Sequence, residues 1–460
     1  MKLQFSNIAK INTADIELGK LTILCGKNNT GKTHLTYSIY GLLKHLSELE
    51  FSLNTLRKYF NEAIDSYSTE IPLSEIKHSV ESEIIRYSEK LKTVLAVNEL
   101  NNPVCKINNL GELINVDRSF SVVGRFRSNK ESVHLIQYNK EQKNDFIKIT
   151  YTPSDLDDSF ELTQQINRRK TRLLSTIEHQ FKIILIKEIV KMIPSKVFIS
   201  SVERTGIAIF KEELDGLIDK DHELFGFLDH KDIFKGTYPS AVMDNINAVK
   251  RYHSLENQSN SKLYKDAPFI LKYFQEIIGG EYKLNDSVQS INYVPKSNNG
   301  KTTELSLIES SSSIRSLLDI GIYLKYFADK GQTLVIDEPE INLHPSNQRK
   351  IARLLAMLVN YGISVIVTTH SDFITRELSF LVMMKDPKRK NILEEEVIKN
   401  EYSPSQLLNA NDIKVYSSYY DNNTNSISIR NEKVSFEDGF TIPTFDDTID
   451  KMNEIYNTIL

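Results

Sequence analysis

Cysteine is scarce in this sequence of 460 residues, which contains only Cys25 and Cys105. The two lie far apart and neither belongs to a CxxC motif, so the sequence excludes a disulfide scaffold and a zinc site built from thiolates. Long apolar runs are also missing, because no window reaches the roughly 18 consecutive apolar residues that a membrane span needs. The first ten residues hold no apolar stretch of the signal-peptide kind. These absences favour a protein of the reducing cytoplasm with no membrane partner.

An excess of positive charge is absent as well. The sequence has 57 basic and 61 acidic residues and a formal net charge of -4. Any contact with DNA would therefore have to come from a local patch. Two basic clusters are candidates, but a solvated helix face and an exposed loop explain them more simply. They are QQINRRKTRLL, with Arg168, Arg169, Lys170 and Arg172, and KDPKRK at 385–390.

Strand-like and helix-like segments alternate at the two ends of the chain. Near the start, the apolar run Leu21–Leu24 precedes a helical pattern that begins at about Lys32. Near the other end, the pattern predicts helix 313–328, strand Thr333–Ile336, helix 345–360, strand Ser364–Thr368 and helix 371–378. This alternation predicts an α/β fold with a parallel sheet.

The middle of the chain has a different character. Up to about Asn98 the pattern is helical, with Pro72 interpreted as the first residue of a helix. Short β-like runs such as SFSVVGRF and FIKITY follow. Residues Asp155 to Ile193 then predict one long helix ended by Pro194. At 1.5 Å per residue it would extend about 50 Å as a projecting arm.

The sequence GKNNTGKT fits G-x(4)-G-K-[ST] and lies between a strand and a helix, the context that a phosphate-binding loop requires. Its glycines let main-chain amides turn toward phosphates, and the helix N-terminus adds a favourable dipole. Lys32 is expected to reach the β- and γ-phosphates of ATP, and Thr33 to offer its hydroxyl to Mg²⁺. A chance match is the alternative, which the strand–loop–helix context disfavours. The predicted nucleotide contacts are Gly26, Asn28, Asn29, Thr30, Gly31, Lys32 and Thr33.

The segment QTLVIDEPEINLHP places Asp337 and Glu338 at the carboxyl end of a buried strand, where open α/β sheets bind ligands. Asp337 is expected to hold Mg²⁺ through water. Glu338 is expected to orient and polarise the attacking water, as phosphoryl transfer requires. Capping of a helix by an acidic residue is the plainer alternative, and the phosphate-binding loop elsewhere in the chain weakens it.

The segment SVIVTTHSD brings His370 directly after another apolar strand, one helix beyond the Asp–Glu pair. There it could sense the γ-phosphate through a hydrogen bond. A purely structural histidine is the alternative. The predicted catalytic residues are therefore Lys32, Glu338 and His370, and the predicted cofactors are ATP and Mg²⁺.

Together these motifs resemble the ABC-type ATPase heads of the SMC, RecF and OLD superfamily. In particular they resemble the AAA-family ATPases of antiphage defence, of the PtuA type in Septu and the AriA type in PARIS. GKNNTGKT, VIDEPEINLHP and VTTHSD carry the resemblance, with ELSLIESSSSIRSLLDIGIYL in the place of the signature segment. Lys32 and Asp337 are 305 positions apart, as in a head with an arm inserted between its lobes. The resemblance implies an α/β head of mixed and parallel sheet with flanking helices and a helical, coiled-coil arm.

The resemblance also implies a division of the chain into four parts. Residues 1–45 would form the first lobe with the phosphate-binding loop, and 46–195 the helical arm with a small β insertion. Residues 196–390 would form the second lobe with the signature, Asp–Glu and histidine segments. Residues 391–460 would be a mixed segment that ends in an amphipathic helix, with Phe445, Ile449, Met452, Tyr456 and Ile459 on one face. Capping and dipole effects explain Thr444, Asp446 and Asp447 better than a nuclease metal cluster does.

Two heads of this family sandwich ATP, and a signature serine of one head contacts the γ-phosphate bound by the other. Ser311 and Ser312 are the best positional matches, although Ser313 stands where a signature glycine is expected. A serine-rich helix cap is a compatible alternative. Arg204 is a candidate nucleotide contact, with a structural ion pair as an equal alternative. Gln137 is the only suggestion for a Q-loop glutamine.

The favoured function is that of an ATP-driven sensor or switch. The resemblance implies a homodimer or a larger ring that controls a separate effector, a nuclease of HNH or TOPRIM type. The runner-up is a RecF- or Rad50-like repair ATPase that acts directly on DNA, although the missing CxxC hook and the short arm argue against Rad50. A nucleotide-clamped scaffold with little turnover is the third possibility.

Overall fold

A computed structural model of the chain describes the following residues: 1–47, 53–114, 119–127, 133–153, 163–185, 188, 193–210, 238–250, 260–285, 290–296, 303–389, 391–396, 398–399, 401–421 and 426–459. The chain divides into two compact units. The smaller one comprises residues 1–4, 42–89 and 105–195, and the larger one comprises residues 5–41, 90–104 and 196–460.

The described strands, in chain order, are β1 (Lys2–Ile8), β2 (Ile11–Glu17), β3 (Leu21–Gly26), β4 (Ser68–Pro72), β5 (Val104–Ile107), β6 (Phe120–Arg127), β7 (Val133–Lys140), β8 (Phe146–Thr152), β9 (Val197–Ser200), β10 (Gly280–Asn285), β11 (Ser290–Pro295), β12 (Leu305–Ser306), β13 (Thr333–Asp337), β14 (Ser364–Thr369), β15 (Ile413–Asp421) and β16 (Ser426–Glu432).

The described α-helices are α1 (Lys32–Ser47), α2 (Arg57–Asp65), α3 (Leu73–Val94), α4 (Leu110–Leu113), α5 (Thr163–Ile184), α6 (Arg204–Ile209), α7 (Ser240–Lys250), α8 (Lys262–Asp266), α9 (Pro268–Ile278), α10 (Ser312–Ser316), α11 (Leu318–Ile322), α12 (Pro345–Tyr361), α13 (Asp372–Met383) and α14 (Pro443–Ile459). No described helix is both long enough and apolar enough to cross a membrane.

The larger unit contains most strands of a nine-stranded mixed sheet with the order β5-β1-β2-β16-β15-β3-β14-β13-β9. Strands β15, β3, β14, β13 and β9 run parallel to one another, and β16 is antiparallel to β15. Every residue of β3 and β13 is buried, as expected for strands covered on both faces. The predicted α/β class with a mixed and parallel sheet is confirmed.

The smaller unit contains an antiparallel sheet with the order β4-β8-β7-β6. Helix α5 packs on this unit through buried apolar residues at helical spacing, Leu173, Ile177 and Phe181, and the Tyr138 hydroxyl on β7 donates to the Ile177 carbonyl at 3.2 Å. The apolar face of the described part of the helix is therefore packed, and the projecting arm stays a prediction. The other residues of the predicted 155–193 helix lie outside the described residues, apart from 185, 188 and 193.

Pro72 ends strand β4 and does not begin a helix, contrary to the prediction. It pairs with Phe146 at the edge of the sheet, a place that tolerates proline because no partner strand needs its missing N–H. Helix α3 begins at the next residue.

The single helix predicted at 313–328 is divided into α10, α11 and a π-helical turn at Tyr323–Phe327. Side chains from distant elements bind its main-chain carbonyls: Arg204 Nε donates to the Ser316 oxygen at 2.8 Å, and the Tyr282 hydroxyl donates to the Ile314 oxygen at 2.5 Å. These contacts accompany the break in the regular helical hydrogen bonding at Leu317.

Candidate functional site at the carboxyl edge of the parallel sheet

The three predicted motifs meet because their strands are parallel neighbours. Asp337 on β13 is in register with Thr368 on β14, and Thr369 is in register with Cys25 on β3. The loops that follow these strands therefore start at the same edge of the sheet. This register brings together the glycine-rich loop, the Asp–Glu pair and His370.

The glycine-rich loop depends on backbone conformations that side chains disfavour. Gly26 has φ = +138° and Gly31 has φ = +78°, and a Cβ at Gly26 would lie 2.1 Å from the Ser418 hydroxyl of β15. That hydroxyl also lies 2.6 Å from the Thr30 hydroxyl and donates to the Cys25 carbonyl at 3.1 Å. Strand β15 thus supports the glycine-rich loop through the Ser418 side chain. The loop opens on a cavity of about 900 Å³ lined by Asn28, Asn29 and Thr30, among others.

Lys32 is buried, and its ammonium group folds back onto its own loop. Nζ donates to the carbonyls of Gly26 and Lys27 at 3.1 and 2.7 Å and lies 3.3 Å from the Thr30 hydroxyl. Burial lowers the pKa of Lys32, while the nearby carboxylate of Glu338 opposes that change. The lysine is therefore held by weak neutral acceptors that an anionic phosphate would readily replace.

Asp337 has the features of a ligand for a hard cation. Its side chain is fully buried, and Oδ1 accepts a hydrogen bond from the Thr368 hydroxyl. Oδ2 has no hydrogen-bond partner among the described residues, and the Thr33 hydroxyl lies close enough to the carboxylate to oppose the rise in its pKa. Burial raises the pKa of Asp337 to about 6. A buried carboxylate oxygen without a donor, close to a hydroxyl, fits the oxygen-rich coordination that Mg²⁺ prefers.

The Glu338 carboxylate and the His370 imidazole are hydrogen-bonded, with 3.0 Å between Oε1 and Nε2. The hydrogen bond from His370 lowers the pKa of Glu338, although partial burial opposes the effect. Glu338 also has φ = +51°, a left-handed conformation that is unusual outside glycine. Its N–H is held by the Thr368 carbonyl at 3.2 Å and the Thr368 hydroxyl at 3.0 Å. The backbone is therefore constrained where the predicted water-orienting side chain begins.

Arg204 lies at the start of α6 and is buried. Its guanidinium group donates to four main-chain carbonyls at 2.6–2.8 Å, those of Ser201, Ser316, Asp337 and Glu338. Of the five N–H donors of an arginine, these bonds occupy four. The described contacts are thus with Ser201 directly after β9, with Asp337 and Glu338, and with Ser316 of α10.

The predicted signature serines lie at the N-terminus of α10. Ser311 and Ser312 are exposed, and Ser311 is the helix cap, with its hydroxyl accepting from the Ile314 N–H at 3.4 Å and lying 2.8 Å from the Ser313 hydroxyl. Ser311 and Ser313 line a cavity of about 380 Å³ that shares no lining residue with the cavity of the glycine-rich loop. The capping role is confirmed. Gln137 lies on β7 in the smaller unit, where its amide donates to Ser121 and Asn139.

Three polar residues of the site escape motif-based analysis. Glu340 is largely buried. Its carboxylate accepts from the main-chain N–H of His370 at 2.6 Å and from the Thr369 hydroxyl at 2.9 Å. Thr368 connects Asp337 to Glu338, and Ser418 supports the glycine-rich loop. The sequence signal for Thr368 is a polar residue near the end of an otherwise apolar strand, in VIVTTH, and Glu340 follows the Asp–Glu pair in DEPE.

The AAA ATPase domain family matches residues 1–375. A comparison with curated proteins gives no significant match. Among solved structures, an SMC head bound to the C-winged helix domain of ScpA is 10% identical, with a TM-score of 0.35 and coverage of 94% of this chain and 97% of that one. The SMC head domain of Thermotoga maritima is 12% identical, with a TM-score of 0.31 and coverage of 93% and 97%. An SMC head with an extended coiled coil, bound to the C-terminal domain of ScpA derived from Pyrococcus furiosus, is 11% identical, with a TM-score of 0.33 and coverage of 99% and 98%. Since the family match spans most of its length, the chain belongs to the AAA ATPase domain family.

Proposed function

We propose that this protein binds Mg²⁺-ATP at the sheet edge and hydrolyses it to ADP and phosphate. The convergence of Lys32, Asp337, Glu338 and His370 at one edge carries the proposal. Lys32 would replace its hydrogen bonds to the loop carbonyls with hydrogen bonds to phosphate oxygens. The main-chain N–H groups of the exposed residues Asn28 and Asn29 would face the phosphates. Thr33 and Asp337 would hold Mg²⁺, which neutralises charge that develops on the phosphates.

Glu338 is the proposed acceptor for the proton of the attacking water. Its depressed pKa keeps it ionised near neutral pH, and its hydrogen bond with the His370 imidazole directs the carboxylate. A phosphoryl transfer needs little covalent assistance, so positioning and electrostatics supply most of the rate. His370 would reach the γ-phosphate from the neighbouring strand.

The proposed active form is a homodimer or larger ring in which Ser311 or Ser312 of one copy covers the nucleotide bound by another. The exposure of both serines at the N-terminus of α10 supports this arrangement, because their side chains are accessible to another copy. ATP would stabilise the closed assembly through contacts that the open one lacks, and hydrolysis would release it. In this view the chemistry resets a switch.

The proposed biological role is the sensor or switch subunit of a cytoplasmic antiphage defence system that controls a separate nuclease of HNH or TOPRIM type. Its support is the set of motifs quoted above. Expression with the product of the neighbouring reading frame, followed by isolation of the complex with and without ATP, tests it. A nuclease bound in only one nucleotide state is the expected result. Tight DNA binding by the chain alone, with a steep dependence on salt, would favour the RecF- or Rad50-like alternative.

Glu338→Gln tests the chemistry directly. We expect it to keep ATP binding, to lower the turnover number by about 10²- to 10⁴-fold, and to accumulate ATP-bound oligomers visible by mass photometry. A normal turnover number would refute the role of Glu338.

Mixing a Lys32→Ala chain with a Ser311→Glu, Ser312→Glu chain tests the shared site. Each is expected to be inactive alone, and activity should recover in the mixture only if the serines act across the interface.

A further inference from the structure

The C-terminal helix α14 leaves the body of the larger unit immediately after an anchored segment. The Phe440 N–H donates to the Ser379 hydroxyl of α13 at 2.9 Å, and both Phe440 and Ile442 are buried. Every residue from 450 to 459 is exposed. An isolated helix of this length is only marginally stable in water. Contact of α14 with a partner surface would stabilise it.

One face of this exposed helix is strongly apolar. Met452, Ile455, Tyr456 and Ile459 occupy positions i, i+3, i+4 and i+7, the spacing with which a helix anchors itself in a groove. Their side chains are 66%, 52%, 62% and 78% exposed. Four large apolar residues in a row on one face form an unsatisfied surface.

An apolar cavity of about 490 Å³ opens beside the anchor of α14. Its apolar walls come from the end of α13 and the segment that follows. Phe380 on this wall is 47% exposed, and methionines give such a surface adaptable packing. The apolar lining residues are Phe380, Met383, Met384, Ile392, Ile398 and Tyr402.

The helix and the cavity carry opposite charge. The sequence PTFDDTIDKMNEIYNTI of α14 contains four acidic residues and one lysine. Around the cavity, Arg349 and Arg389 line the wall, and Lys385 and Lys388 are exposed close by in the chain. The acidic Glu401 of the same wall is paired with Arg349 and Arg353. Opposite net charges favour encounter between the two surfaces.

We propose that α14 of one copy docks its apolar face into the α13 cavity of a second copy. Both complementary surfaces belong to one chain. In a two-fold dimer, α14 of each copy therefore fills the α13 cavity of the other, and the contact forms twice. Residues 450–459 are exposed on their own chain and do not fill its cavity. This contact is independent of the nucleotide, and it differs from the proposed ATP-dependent interface.

Cross-linking between two differently tagged full-length chains tests the proposal. One chain carries Tyr456→Cys and the other carries Phe380→Cys, and a short bismaleimide joins them without nucleotide. The native Cys25 and Cys105 are both buried, so background labelling is low. A cross-linked product with both tags is expected. The matched control is Asn457→Cys, an exposed residue on the opposite side of α14, which should give little product.

Equal products from Tyr456→Cys and Asn457→Cys would overturn the proposal, because they would reflect random collision. Self-association measured by sedimentation should weaken by at least about tenfold in Tyr456→Asp and persist in Lys32→Ala. Loss of self-association in Lys32→Ala would also overturn it, since the contact would then depend on ATP. If Tyr456→Asp lost binding to an effector but kept self-association, α14 would dock on that effector and not on a second copy, and the proposal would be wrong.

Discussion

The guanidinium group of Arg204 donates hydrogen bonds to the main-chain carbonyls of Asp337 and Glu338 at 2.7 and 2.6 Å. Glu338 has a left-handed backbone with φ = +51°, a conformation that costs free energy and persists only when its surroundings hold it. Arg204 supplies that restraint from one side and Thr368 from the other. The same guanidinium binds Ser316 in α10, so it connects the Asp–Glu loop to the signature segment.

Arg204→Lys is expected to lower the turnover number by about 10²-fold, because a small displacement of a catalytic group has effects of that size. Lysine keeps the charge but cannot donate to several carbonyls in a planar fork. ATP affinity should change much less, since Lys32 and the glycine-rich loop are untouched. Steady-state kinetics, with nucleotide binding measured separately, checks this split.

Arg376→Lys is the matched control for Arg204→Lys. Arg376 forms an exposed ion pair with Asp372 at 2.6 Å on α13, so its replacement should leave the turnover number unchanged. If Arg204→Lys instead weakened ATP binding and spared turnover, Arg204 would be a direct nucleotide contact and its positioning role would be refuted.

Glu340 is expected to position His370 without contacting the nucleotide. Its carboxylate accepts from the His370 N–H and the Thr369 hydroxyl, and burial raises its pKa. Glu340→Gln keeps an acceptor oxygen and removes the buried charge, so turnover should stay within about threefold of normal. Glu340→Ala leaves buried donors without an acceptor and should lower turnover by about 10- to 10²-fold. Equal losses in both variants would show that the charge itself is required.

The sequence predicts well which segments meet at the carboxyl edge of the parallel sheet, because the signals there are local. Apolar strands end in GKNNTGKT, DE and TTH, and parallel strands bring such ends together whatever lies between them. Ser418 is different, because its contact with the glycine-rich loop depends on the register of Ser418 with Gly26. That pairing joins residues almost four hundred positions apart, and no local pattern carries it.

Non-local contacts also explain the wrong assignments. The 313–328 segment has a helical pattern, but Arg204 binds its Ser316 carbonyl from 112 positions away. Pro72 resembles a helix start, yet pairing with β8 makes it the end of an edge strand. In both cases tertiary hydrogen bonds outweigh a local preference of a few tenths to about 1 kcal/mol per residue.

Glu377 is expected to be important for stability. It is 1% exposed and accepts from Arg349 Nε at 2.7 Å and Arg353 Nε at 2.5 Å. Glu377→Gln removes the charge that compensates buried Arg353 and should lower the free energy of unfolding by about 3 kcal/mol. Glu401→Gln removes a half-exposed partner of the same arginines and should cost less than about 1 kcal/mol. Urea denaturation of both variants measures the difference, and equal losses would contradict the prediction.

Asp319 should make stability depend on pH. Its side chain is buried in α11, and burial raises its pKa, although the positive charge of Arg204 opposes the change. Oδ1 accepts from the Ile320 N–H at 2.8 Å. A carboxyl whose pKa is higher in the folded state stabilises the fold below its unfolded pKa, and this contribution is lost as pH rises through the folded pKa.

Asp319→Asn has no such proton to lose. Its free energy of unfolding, relative to the unmodified chain, should therefore rise from pH 4 to pH 7 by on the order of 1 kcal/mol, the scale of a single substitution. Urea unfolding at several pH values measures this difference. A difference that falls with pH would mean that the charge of Arg204 outweighs the burial of Asp319.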